Sequence, residues 1–173
     1  MTVRARLRAT AYRVAYRLPV KTRRRIVRIA MPKYIVGAVV LVRDSTAAPP
    51  GRILLIRQPP GYGWSIPGGL LDRGEVPAYA AARELHEEVG IRVDADELVA
   101  LQPSAIVHTH GRWVDCVFEA HVAPDTPVRI AAGEVVDAAW HRLDALPPLT
   151  VPTARLLAHY GIGPYVGYPE AQF

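Results

Sequence analysis

Apolar residues first gather on a helical stripe. Val3, Leu7, Ala11, Val14 and Leu18 share one face at helical spacing, with Arg4 and Arg8 on one margin and Arg6, Arg13 and Arg17 on the other. Pro19 ends that pattern, and a second basic stretch over 21–30 reads as another short helix closing near Pro32. The pattern then changes. Residues 35–42 are apolar without interruption, too few to span a bilayer, and predict a buried strand over 34–43. Turn residues fill 44–51, and Arg52–Arg57 reads as the partner strand of a hairpin. Residues 58–63 predict an irregular loop, and 64–67 lead into Gly68-Gly69. The clearest helix covers Pro77–Val89: Pro77 suits its first turn, Gly90 its stop, and Ala78, Ala81, Ala82, Leu85 and Val89 its apolar face. Strands are expected over 98–108, 112–122 and 135–143, with a turn at 108–111 and a last helix over 151–160. No internal repeat is visible. Strands mixed with a few helices predict an α/β or α+β domain around one core.

Composition narrows this picture. The 173 residues are half hydrophobic, enough for a real core. A single cysteine, Cys116, excludes an internal disulfide framework, and no Cys/His cluster suggests structural zinc. Arginines interrupt every early apolar stretch, which argues against a secretory leader and for a cytoplasmic protein. Charge is unevenly spread. Residues 1–33 hold eleven of the 21 Lys+Arg and none of the 16 Asp+Glu, so the net +5 belongs to this segment and the rest is net negative. A basic-protein case for nucleic-acid binding therefore cannot be made for the whole chain. Three regions are expected: a basic helical extension over 1–33, a folded domain over 34–160 and an irregular tail over 161–173.

Glu84, Glu87 and Glu88 stand at helical offsets of three and four on the Pro77–Val89 helix, which puts three carboxylates on one face. Like charges at those offsets repel unless a cation joins them, and hard oxygen donors select Mg²⁺ or Mn²⁺. A bare triplet of this kind also reads as a solvated acidic face. What precedes it changes the balance: Gly68-Gly69 permits close backbone approach, and Glu75 lies in the loop entering the helix.

The stretch reads Gly69-x5-Glu75-x7-Arg83-Glu84-Leu85-x-Glu87-Glu88-x-Gly90-Ile91. It resembles the Nudix box, the signature of the Nudix hydrolases, at every specified position. Trp64 to Gly69 looks like the family's lead-in, and Glu134, six residues before Trp140, looks like its outlying acid. The resemblance implies an α/β/α sandwich around a mixed sheet and hydrolysis of a diphosphate linkage, typically in a nucleoside diphosphate derivative, with Mg²⁺ or Mn²⁺. It makes Glu84, Glu87 and Glu88 the metal carboxylates, the Gly69 carbonyl a further metal contact, Arg83 an orienting residue and Glu75 a structural or outer ligand. For the general base, Glu84 or Glu88 ranks first, then Glu134, with Asp137 behind.

Other residues are weaker candidates for substrate contact. His108 and His110 flank a turn and would suit phosphate, as would Arg52 and Arg57; turn polarity and ordinary surface charge explain them too. Tyr62 and Trp64 precede the box and would stack a base, although Trp64 also fits a core or rim position. Cys116 reads as a buried mid-strand residue. The basic extension fits a helix on a membrane surface, a phosphate-backbone clamp, an organelle transit segment, or a helix packed on the domain or on a second copy. The expected partner is a small diphosphate, and a homodimer is a family expectation. Alternatives are the same chemistry on a lipid diphosphate or RNA 5′ end brought by the basic arm, or a non-catalytic nucleotide-sensing module.

Overall fold

The computed structural model describes residues 16–108, 112–123, 125–130 and 132–168. The stripe expected over residues 3–14 and the candidate His110 lie outside the described residues. The chain divides into two compact units, Met1–Tyr34 and Ile35–Phe173. In the first, helix α1 (Val20–Ala30) starts directly after Pro19 and closes with the Met31 N–H donating to the Val27 carbonyl at 2.9 Å. None of its residues is buried.

Among the described residues, the second unit has six strands: β1 (Ile35–Asp44), β2 (Arg52–Arg57), β3 (Gly68–Leu70), β4 (Val99–His108), β5 (Trp113–Val122) and β6 (Asp137–Arg142). Helices α2 (Pro77–Val89) and α3 (Val151–Ala158) and a 3₁₀ turn at Ala95–Glu97 complete it. The sheet order is β4-β5-β1-β2-β6, with β3 also paired to β1. Among the described strands, β1 and β5 pair in parallel and the other pairs are antiparallel, so the sheet is mixed. β5 follows β1 along its whole length, from Ile35↔Trp113 to Asp44↔Val122. On the other side β3 takes the first half of β1, from Gly37↔Leu70 to Val39↔Gly68, and β2 meets it at Arg43↔Ile53.

The unbroken apolar runs of β1 and β2 follow from burial on both faces. Ala38, Val40, Val42, Leu54 and Ile56 pack with Ala80, Ala81, Leu85 and Val89 of α2. The alternate positions Leu41, Ile53 and Leu55 pack with Leu156 and Leu157 of α3. This is the expected α/β/α sandwich. α2 has Pro77 in its first turn, and it ends where Gly90, at φ 73°, donates its N–H to the His86 carbonyl at 2.9 Å. α3 is capped by Thr150, whose hydroxyl oxygen accepts from the Thr153 N–H.

Two elements differ from the sequence reading. The sequence reading gives Gly68-Gly69 no element of its own, whereas Gly68–Leu70 is a strand paired to β1. The β1–β2 hairpin pairs narrowly because β3 occupies the rest of that edge of β1.

Candidate active site

Residues Gly68 and Gly69 bring the acidic helix down onto the sheet. Gly68 sits at φ 150°, and a Cβ there would stand 2.6 Å from the Val39 Cα. A Cβ on Gly69 would stand 2.5 Å from Glu84 Oε1. Only a chain without side chains at these positions lets the Glu84 carboxylate lie against the β3 backbone.

Arg83 ties the box together. Its Nε and one terminal nitrogen donate to the two oxygens of Glu75, each at 3.0 Å. The other terminal nitrogen donates to Glu84 Oε1 at 2.7 Å and to Glu87 Oε2 at 2.9 Å. The nitrogen on Glu75 also reaches the Leu70 carbonyl at 3.0 Å. These bonds, those to Glu75 and Glu84 foremost, hold the guanidinium proton well above its ordinary range, and the same fork holds the Glu75 carboxyl below the usual one. Glu75 in turn accepts from the Asp72 N–H at 2.8 Å, which closes the loop entering α2.

Among the box glutamates Glu88 is the buried one, 3% exposed. Its Oε2 accepts from the Gly68 N–H and its Oε1 from the Gln58 side-chain amide, both at 2.8 Å. Burial pushes its pKa up to about 7, and the charges of Glu84 and Glu134 push the same way against these two hydrogen bonds. Glu88, Glu84 and Gly69 line an open cleft of about 480 Å³ together with Gln58, Pro59, Gly68, Leu70, Gly133 and Glu134. Glu134 enters from an exposed loop before β6.

The three box glutamates do not act as one face. Glu87 leans to Arg83 four residues earlier, half exposed, and is not part of the cleft lining. Among the described residues, no three Asp, Glu, His or Cys side chains stand close enough together to cage an ion as they are. The reason is local: Arg83 engages Glu84 and Glu87, while Gly68 and Gln58 engage Glu88. The donor set nevertheless suits a hard divalent cation, with carboxylates from two elements on an open cleft and no opposing lysine or arginine in its lining.

The remaining candidates stand elsewhere. Arg52, at the far end of β2 from Gln58, is bound to Asp44 through two nitrogens, one at 2.9 Å; the structure does not bring it to the cleft. Burial alone would raise the Asp44 carboxyl, but the Thr46 N–H and Arg52 bring it below its ordinary value. Arg57 pairs with Asp137 at 3.1 Å and lies 5.5 Å over the Trp64 ring. That ring meets His141 edge-on at 4.6 Å and packs on the α3-side core, so Trp64 is committed to packing. Asp137, placed behind the others as a base, is thus engaged by Arg57. His108 pairs with Asp115 at 2.8 Å, beside Trp113. Tyr62 is exposed.

Two residues went unread in the sequence. Gln58, which holds Glu88, follows an apolar strand and precedes Pro59-Pro60; its only signal was a polar side chain at a strand end. Asp115 was signalled by a charge within a half-buried strand, opposite Gly37, where a Cβ would stand 2.8 Å from its Oδ1.

The family model described as NUDIX domain matches residues 33–160. Among solved structures, the chain resembles a MutT NUDIX hydrolase from Burkholderia pseudomallei: 31% identity, TM-score 0.57, covering 70% of this chain and 93% of that one. Among curated proteins it is 39% identical over 116 residues to an octanoyltransferase of Myxococcus xanthus, covering 61% of this chain and 28% of that protein. It is 32% identical over 122 residues to the NAD-capped RNA hydrolase NudC of Pseudomonas aeruginosa, covering 66% of this chain and 39% of that one. The chain thus spans only about a third of the length of these two curated relatives. The match over most of the chain, with the intact box from Gly69 to Ile91 folded as strand, loop and helix beside the cleft, places this chain in the Nudix family.

Proposed function

We propose that the chain is a divalent-metal-dependent hydrolase that cleaves the diphosphate linkage of a nucleoside diphosphate derivative by attack of water on phosphorus. The observation that carries this reading is the meeting of Glu84, Glu88 and Glu134 in one open cleft beside Gly69. Mg²⁺ or Mn²⁺ would be held by Glu84 and Glu88 with the Gly69 backbone, and Glu134 faces them from the loop before β6. When bound, such an ion neutralises diphosphate oxygens and acidifies water. The chain's own groups supply the rest. Arg83 fixes Glu84 and keeps Glu87 at the rim. Gln58 and the Gly68 N–H orient Glu88. Held at the cleft by these two groups, Glu88 stands with Glu84 as the first candidate for the base, with Glu134 next.

The test is a panel of nucleoside diphosphate derivatives, including a dinucleotide-capped RNA, a lipid diphosphate and plain nucleotides, with Mg²⁺ or Mn²⁺ and products identified by mass spectrometry. Hydrolysis of a panel member, lost in Glu84→Gln and Glu88→Gln, is the expected result. Tight nucleotide binding without turnover on the whole panel would overturn it in favour of a sensing module.

A further inference from the structure

Helix α1 carries an exposed apolar arc. At helical spacing Val20, Thr22, Ile26, Val27, Ile29, Ala30 and the following Met31 fall on one half of its circumference. Lys21, Arg24, Arg25 and Arg28 fill the other half. Arg23 alone stands among the apolar positions, and its guanidinium lies 5.1 Å over the Tyr16 ring. Val20 is 52% exposed, Met31 58% and Ile29 79%. An arc of this size is an unfavourable surface to leave in water, so it asks for a partner.

The chemistry of the helix narrows what that partner is. A nucleic acid would take the arginines but leave Ile26 and Ile29 wet. A second copy of α1 would bring like charge against like charge, because residues 1–33 contain no Asp or Glu. An anionic lipid surface satisfies both halves: acyl chains take the isoleucines, and headgroup phosphates take the guanidinium groups along the margin. Eleven residues of helix extend only about 16 Å, so α1 lies along such a surface. Among the described residues, no helix is long and apolar enough to cross a membrane.

We propose that α1 docks this chain on an anionic bilayer, with Ile26 and Ile29 in the acyl boundary and Lys21, Arg24, Arg25 and Arg28 at the headgroup phosphates. The full chain, at two salt concentrations, is sedimented with phosphatidylcholine vesicles containing or lacking phosphatidylglycerol, and titrated separately with single-stranded RNA. Thermal unfolding checks that each variant folds. Binding is expected only with phosphatidylglycerol present and weaker at high salt. The double change Arg24→Ala with Arg28→Ala is expected to weaken it about thirtyfold, and Ile26→Ser with Ile29→Ser about tenfold or more. No uptake by the anionic vesicles would overturn the proposal. So would uptake indifferent to the two serines. RNA binding lost with the arginines and untouched by the serines, with vesicles left unbound, would assign the helix to nucleic acid instead.

Discussion

Helices α1 and α2 are of similar length and both are rich in charge of one sign, yet they have opposite fates. α2 buries Ala80, Ala81, Leu85, Glu88 and Val89, whereas α1 buries nothing. Each carries one charge in excess: acids on α2, bases on α1. On α2 the excess is answered from within, by Arg83, by Gln58 and by the backbone of β3. On α1 nothing of opposite sign exists in the segment to answer it. Helical periodicity alone therefore does not tell a site from a docking surface. What separates them is whether the chain supplies the apolar layer and the counter-groups that fix the charged side chains in place.

The contrast can be broken most severely at the acids. Glu88→Gln keeps the size and one acceptor but removes the charge, and hydrolysis of the best substrate should fall by about 10²–10⁴-fold at unchanged fold, as steady-state kinetics and circular dichroism would show. An enzyme that keeps near-normal turnover after both Glu84→Gln and Glu88→Gln would place the chemistry elsewhere. The next largest effect is on packing. Leu85→Ala, on the buried face of α2, should cost about 2–5 kcal/mol in urea unfolding. Ile29→Ser on α1 should change stability by less than about 0.5 kcal/mol, which makes it the smallest effect here; equal costs would erase the distinction between the two helices.

Acidity gives an intermediate test. Glu88 holds its proton more tightly folded than unfolded, so its contribution is fully present below its unfolded value near 4.5 and is lost as pH rises through about 7. Metal-free protein should therefore lose about 3 kcal/mol at most from this group between about pH 5 and 8. His141 works the other way, because burial favours its neutral form and stability falls as acid protonates it. Comparing the pH profile of unfolding with that of Glu88→Gln isolates the first slope; superimposable profiles would show that Glu88 titrates normally. At Arg83, replacement by lysine keeps the charge but loses the fork that spans Glu75, Glu84 and Glu87, and should cost about 1–2 kcal/mol by the same measurement.

Much of the fold was legible because its signals are strong and local. β2 and α2 have the limits that periodicity, Pro77 and Gly90 suggest. β3 was not legible, since Gly-Gly-Leu has no period to detect and its pairing depends on close approach to β1. The same limit applies at the cleft. The box spacing names Glu84 and Glu88, but the departure of Glu87 toward Arg83 depends on rotamers, and Gln58 comes from a remote strand end. Trp64 and Arg52 looked suited to a nucleotide by residue type alone; core packing holds the first, and Asp44 the second. A residue type states what a side chain is able to bind, and only the fold states what it already binds.

On the proposed reading, the α2 acids and the cleft beside Gly69 form a divalent-cation site. Calorimetric titration of Mn²⁺ into the protein, with a non-hydrolysable nucleoside diphosphate analogue present, tests it most directly. Saturable uptake by the native chain, abolished in the Glu84→Gln, Glu88→Gln double variant, is the predicted result. No uptake by the native chain, or uptake undiminished in the double variant, would contradict it.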